Sequence, residues 1–359
     1  LRDSAEAALR HRDGKMKKII PDLHHLNDEV PRDGDLNPVA IDHNFTQRYT
    51  HDAYEQACAI TAWQQLYDQL SPGHFQGELT ETLFDDGMQV FHEYTNLSLR
   101  QSCMVWPNAF WFGIPGMRQS SGFIGNCLLD RQKIAVRPGG KEFELSTPDD
   151  YHIQGLVISH KMLTQHAVVL QNPERMMTLL EDNPAISINP DKKAAIWQYI
   201  GYALRHSKQE QARSRAVDRV MSHNLLTAFL GVLEDASTVA EEPRASRGSY
   251  AKLISRAREY LFENVTEPVT VLDLCSVLYV SRRTLQNAFQ QVLGIGPNAY
   301  LKTIRLNAVR RELISPYSRQ TTVKDAAMQW GFWHLGQFAK DYQRLFNEKP
   351  SATLSARLS

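Results

Sequence analysis

Arg282, Arg283, Gln286, Asn287 and Gln290 recur along one side of a helical repeat, and their side chains share one kind of chemistry. Each can form paired hydrogen bonds to a planar partner. The arginine fork matches the two acceptors on the major-groove edge of guanine, and the Gln or Asn amide matches the donor and acceptor of adenine. On the other side of the same repeat, Leu285, Phe289, Val292 and Leu293 fall at i, i+4, i+7 and i+8, the apolar stripe of a surface helix. A second stretch has the same build. Phe338, Tyr342, Leu345 and Phe346 point inward, while His334, Gln337, Lys340 and Arg344 point outward. For a lone helix such a polar face is as readily a solvated one. Two of them in repeated surroundings argue for a nucleic-acid surface.

The surroundings are repeated. Thr270-Val271-Leu272-Asp273 reads against Thr322-Val323-Lys324-Asp325 at an offset of 52, and Leu285, Phe289, Leu293 and Pro297 read against Phe338, Tyr342, Phe346 and Pro350 at 53. One residue has entered the second turn. Two helix–turn–helix units follow, about 270–293 and 322–346. Thr270 and Thr322 each stand three residues before an Asp, so each is expected to cap a short first helix. Gly331 suits a turn with positive φ; Tyr279 suits it less well, so the first turn is expected to differ in shape. Between the units, Gly296-Pro297 opens a third helix that stops near Ser315-Pro316. Its span of about 27 Å can hold two reading helices near one DNA turn apart. Lys302, Arg305, Arg310 and Arg311 on it are expected to face phosphate or solvent.

The second unit, from Val323-Lys324-Asp325-Ala326-Ala327 through Gly331-Phe332, Phe338, Tyr342 and Phe346 to Lys349-Pro350-Ser351, resembles the signature of the AraC-type transcription regulators. The resemblance implies a seven-helix DNA-binding domain whose first helix is Tyr250–Glu263, with promoter DNA and RNA polymerase as partners. It places base contacts at Arg283, Gln286 and Asn287, and in the second unit around Leu335, Gln337 and Lys340. Contacts to the DNA backbone are expected from Ser281, Arg282, Lys302, Arg305 and Arg344. Leu335-Gly336 departs from the polar residues often found there, so the second unit is expected mainly to grip backbone.

Charge follows the same division. Residues 249–359 hold 15 Lys+Arg against 8 Asp+Glu, and residues 1–248 hold 25 against 32, so a basic third is joined to an acidic remainder in a chain of formal charge +0. Cys58, Cys103, Cys127 and Cys275 have no zinc or redox spacing, and read as free thiols in a reducing cytoplasm. No apolar run is long enough to span a membrane. The chain opens on Leu, and Met16-Lys17-Lys18 is expected to be a natural start.

Residues 1–45 read as poorly ordered, 46–236 as a ligand-sensing domain with possible dimerisation, 237–249 as a polar linker and 250–359 as the DNA-binding domain. Asp52–Leu70 reads as a helix. From Glu78 to Ile158 many short alternating segments, punctuated by Pro and Gly, read as an antiparallel sandwich or barrel. Lys161–Ala236 reads as helical, broken at Asn183-Pro184 and Asn189-Pro190; Ala194–Leu204 and Ala216–Leu233 can pair with a second subunit or cover their own sheet. The fold class is α+β, with a cupin-like β-barrel or sandwich flanked by helices, then an all-α domain of two helix–turn–helix units joined by a long helix.

A barrel of this size can enclose a small ligand. Trp106 and Trp111, in an aromatic run with Phe110 and Phe112, are candidate lining residues, though ordinary core aromatics fit as well. His92 and His152 stand isolated on strands. The chain shows no phosphate loop, nucleophile elbow, HExxH or cupin metal signature, so neither a catalytic cofactor nor an enzyme is expected.

Segments Trp63–Tyr67, Arg100–Asn108, Arg137–Gly140, Thr147–Tyr151, Val280–Asn287 and Arg305–Pro316 resemble a subgroup of the same family, the activators of bacterial ethanolamine-utilisation operons. That resemblance implies ethanolamine and adenosylcobalamin as joint inducers. Asp150-Tyr151-His152-Ile153-Gln154-Gly155 fits Asp-x-His-x-x-Gly, which in some cobalamin proteins presents an imidazole to cobalt. Here the segment reads as a strand rather than the loop that motif needs, so His152 is not expected to be a ligand.

Overall fold

Gly77–Phe84 (β3) and Met88–Thr95 (β4) form the expected hairpin, with Phe84 opposite Met88, and bury Leu79, Phe84, Met88, Val90 and Phe91 along with the polar Glu81, Gln89 and Glu93. A computed structural model describes residues 45–84, 87–125, 127–168, 172–209, 215–238, 269–315 and 321–358, with isolated positions between and most of 250–261. The expected N-terminal segment up to residue 44, the linker after Thr238, Asp85 and Asp86 of the hairpin turn, Pro316 and part of the helix expected over 250–263 lie outside the described residues.

The remaining strands are β1 (Phe45–Thr50), β2 (Gln64–Gln69), β5 (Leu99–Met104), β6 (Ala109–Pro115), β7 (Gly122–Ile124), β8 (Cys127–Leu129), β9 (Lys133–Pro138), β10 (Phe143–Thr147), β11 (Tyr151–Ser159), β12 (Ala185–Ser187) and β13 (Ser237–Thr238). They make two antiparallel sheets, β1-β3-β4-β11-β6-β9-β12-β13 and β2-β5-β10-β7-β8. Between them lies a core of Trp63, Tyr67, Phe91, Leu99, Trp111, Phe143, Leu145 and Ile153. The outer face of the larger sheet, with Val90, Phe112, Leu156 and Ile158, is covered by helices α2 (His160–Ala167), α3 (Pro173–Asp182), α4 (Pro190–Gln209) and α5 (Arg215–Glu234). Ile196, Ile200 and Leu204 of α4 and Leu225, Leu226 and Phe229 of α5 are spent on this sheet. All four cysteines are free.

One sequence expectation needs correction here. Asp52–Leu70 is not one helix. Asp52 caps a short helix α1 (Ala53–Ala57) by accepting from Tyr54 N, and the chain then enters β2. The expected breaks in the helical stretch from Lys161, at Asn183-Pro184 and Asn189-Pro190, flank β12, which pairs with β9. In β2 the buried residues Gln65, Asp68 and Gln69 are polar, so the strand shows no apolar alternation; their partners come from distant segments.

The C-terminal domain contains α6 (Val271–Leu278), α7 (Arg282–Leu293), α8 (Pro297–Ile314), α9 (Val323–Gln329), α10 (Leu335–Phe346) and α11 (Pro350–Leu358). Leu274, Leu285, Phe289, Tyr300 and Ile304 form one core, and Leu306, Val309, Phe338, Tyr342 and Phe346 another, so α8 supplies side chains to both.

The α8 helix also docks on the N-terminal domain. The Asn307 amide donates to Gln69 O at 2.9 Å and accepts from Gln69 N at 2.8 Å. Gln69 Nε2 and Gly73 N both donate to Leu345 O at 2.9 Å. Arg311 pairs with the fully buried Asp68 at 2.5 Å, and Arg100 reaches the other oxygen at 3.1 Å. Arg310 pairs with Asp52 and, at 2.5 Å, with Glu348, and lies 4.6 Å over the Phe346 ring. Arg310 and Arg311 therefore do not face phosphate or solvent as their charge suggested. They pair with carboxylates of the N-terminal domain, Arg310 with Asp52 and Arg311 with the fully buried Asp68 that Arg100 also holds.

Candidate DNA-binding surface

Thr270 accepts from Asp273 N while the Asp273 carboxylate accepts from Thr270 N at 2.8 Å, a closed capping box at the start of α6. The Thr270 hydroxyl and then its backbone N–H hold the Asp273 carboxyl below its ordinary range. In the second unit Thr322 accepts from Asp325 N at 3.1 Å at the start of α9. The two turns are closer in shape than Tyr279 suggested: Tyr279 adopts φ 55° and Gly331 φ 78°, both left-handed. A tyrosine held there, and largely exposed, carries a strain that Gly331 avoids.

Each second helix turns its apolar stripe inward. Leu285, Ala288 and Phe289 of α7 are buried, with Phe289 edge-on to Tyr300 at 5.4 Å. Phe338, Tyr342, Leu345 and Phe346 of α10 are buried too, and so is Asp341, which sequence reasoning missed. Asp341 accepts from Lys302 at 3.0 Å and Arg344 at 2.9 Å. Burial pushes its carboxyl up, but hydrogen bonds from Lys302 and Gln337 and the two positive charges outweigh that and hold it low. A lone acid among aromatics at helical spacing was the available signal.

The outward faces are as expected for α7. Ser281 is its N-cap, and Arg282, Arg283, Gln286, Asn287 and Gln290 are all exposed. Gln290 donates to Gly294 O at 2.9 Å, which ties it to the end of its own helix. On α10, Leu335, Gln337 and Lys340 are exposed. Lys302 and Arg344 stay accessible beside Asp341. Arg305 does not: it is half-buried 5.8 Å over Phe332, and burial lowers its pKa. The N-caps Ser281 and His334 are 53 positions apart, so Arg283 corresponds to Gly336, Gln286 to Ala339 and Asn287 to Lys340.

The effector candidates do not converge. Trp111 is in the inter-sheet core, stacked on Phe143 at 4.7 Å, with its indole N–H unpartnered; Trp106 is half-buried. His152 is on the opposite face of the larger sheet. It is not isolated: its Nδ1 lies 3.2 Å from His92 Nε2, the rings are stacked, and Trp197 meets His92 edge-on. Burial and then His152 bring His92 down to about 4. His152 is on antiparallel β11, not in a loop after a parallel strand. Among the described residues no three potential metal ligands cluster, and no helix is long and apolar enough to cross a membrane.

Residues 274–356 match the family described as a helix-turn-helix domain. The chain is 29% identical over 301 residues, 74% of its length, to the XylDLEGF operon transcriptional activator 3 of Pseudomonas putida, and covers 89% of that protein. It is 31% identical over 162 residues to a probable thc operon regulatory protein of Rhodococcus erythropolis, spanning 44% of this chain and 48% of that one. Among solved structures, a probable AraC family transcriptional regulator from Rhodopseudomonas palustris is 36% identical, with TM-score 0.27, covering 30% of this chain and 97% of that one. With the duplicated unit, the matched helix-turn-helix domain and the likeness to that activator over most of the chain, the protein resembles the AraC-type helix-turn-helix transcription regulators. That class acts by binding DNA and not by catalysis.

Proposed function

We propose that this protein is an activator of a small-molecule catabolic operon, binding promoter DNA through α7 and α10 and responding to an effector held by the N-terminal domain. The observation that carries the reading is the exposed Arg283, Gln286 and Asn287 on a rigid, capped helix, repeated in outline by α10. Arg283 is the guanine reader, and Gln286 and Asn287 the adenine readers. Ser281, Arg282, Lys302 and Arg344 hold the DNA backbone. RNA polymerase as the downstream partner, a homodimer and a cytoplasmic location belong to the same reading. Selection of bound duplexes from a random pool by the full chain is the test. Two sequence blocks about one helical turn apart are expected; absence of any enriched sequence refutes it.

The operons named for the relatives, XylDLEGF and thc, support a catabolic operon other than ethanolamine utilisation better than they support the ethanolamine reading. Ethanolamine and adenosylcobalamin remain the inducers implied by the segment likeness alone. Calorimetry of the full chain with each separates the two: heat of binding from either restores the ethanolamine reading, and none from both leaves the broader one. His152→Ala is expected to leave any corrinoid affinity unchanged.

A further inference from the structure

We propose that the second reading helix, α10, recognises A·T base pairs through thymine methyl groups rather than through hydrogen bonds. The inference rests on the reading of α10 as a DNA-facing helix and adds what it reads.

Where α7 presents Arg283 and Gln286, α10 presents Gly336 and Ala339, so the long polar readers of those two positions are absent, and the exposed Gln337 between them hydrogen-bonds to Asp341 of its own helix. A Cβ added at Gly336 would meet nothing within 4 Å, and Gly336 has no positive φ. Nothing within the chain therefore requires glycine there, although glycine in a helix costs stability relative to alanine. Glycine also serves where something outside the chain must approach the backbone closely. Beside these two small residues stand two large apolar side chains at the end of the helix that enters the groove: Trp333 is 68% exposed and Leu335 is 38% exposed. Their neighbour His334 makes no side-chain cap bond, so no local structural duty fixes this run.

The chemistry of the occupant follows. In the major groove only thymine offers an apolar group, its C5-methyl, and apolar side chains are its recognised partners. A phosphate would be repelled by none of these residues but held by none either. Lys340, in the place of Asn287, and Arg344 flank the apolar run and supply the positive charge that keeps a duplex against it.

The test uses the full chain and the duplex it selects. Each thymine of the block protected by α10 is replaced by deoxyuridine, which keeps every hydrogen-bonding group and removes only the methyl. Binding is expected to weaken about fourfold per contacted methyl, the loss of one methylene-sized apolar contact, while the same replacement in the block read by α7 changes little. Leu335→Ala should bind both versions alike. Gly336→Ala should melt no lower than the native chain yet bind DNA more weakly, an outcome that a purely structural role for the glycine would not give. Equal affinity for thymine and uracil duplexes, with the second block still protected, overturns the inference and leaves α10 as a backbone grip. No protection of the second block overturns the DNA-facing reading of α10 itself.

Discussion

Glu93→Gln should flatten the pH dependence of stability of the N-terminal domain. Glu93 is buried between the sheets, where its carboxylate accepts from Gln56 Nε2 at 2.8 Å and from Tyr67 OH at 3.1 Å. Burial lifts its carboxyl from 4.5 to about 7, with those two hydrogen bonds opposing the rise. Between those values the folded chain keeps a proton that the unfolded chain has released. Stability from this group is therefore fully present below about pH 4.5, declines as pH rises, and levels off above about pH 7. The gap corresponds to about 3 kcal/mol. Gln keeps a carbonyl acceptor in place and cannot titrate. Urea unfolding followed by fluorescence of Trp63 and Trp111, which meet edge-on at 5.8 Å in the same core, reads the change. The variant should match the native chain within about 1 kcal/mol at pH 5 and exceed it by up to about 3 kcal/mol at pH 8. Parallel stability curves across that range would refute the assignment of a titrating Glu93.

Further outcomes follow from the surface and the domain contact. Arg283→Ala should lower affinity for the selected duplex by about 1–3 kcal/mol and relax preference at one base pair, read by competition gel shifts against single-position variants. Arg282→Ala should weaken all sequences alike and reduce the slope of log affinity against log salt by about 0.9; a sequence-dependent loss would instead make it a base reader. Asp68→Asn and Arg311→Gln should be strongly coupled in a double-mutant cycle on thermal unfolding, by about 1–3 kcal/mol. Additive losses would mean that Arg311 contributes nothing through Asp68.

The helix–turn–helix units were legible because their signals are local. Thr270 and Thr322 lie three residues from their acids, and each apolar stripe closes within two turns, so sequence distance and spatial distance agree. The reading of 52–70 failed for the opposite reason. Gln65, Asp68 and Gln69 look solvent-facing, and only Cys103, Arg100, Asn307 and the Leu345 carbonyl, 32 to 276 positions further on, make them interior residues. Arg310 and Arg311 misled in the same way, since a charge announces water until its partner is known. His92 and His152 looked solitary because strand register, not spacing, sets them diagonally across β4 and β11.

The contact between Asn307 and Gln69 has a consequence for solubility. Among the described residues β2 is the terminal strand of the smaller sheet, with β5 on one side and no strand on the other. The Asn307 amide engages both the N–H and the C=O of Gln69, as a neighbouring strand would. One side chain of α8 thus blunts a sheet edge that would otherwise be a template for pairing with another copy. Any movement that carries α8 away from β2 exposes that edge, so a variant with Asn307 truncated is left with a sticky border even when every recognition residue is intact.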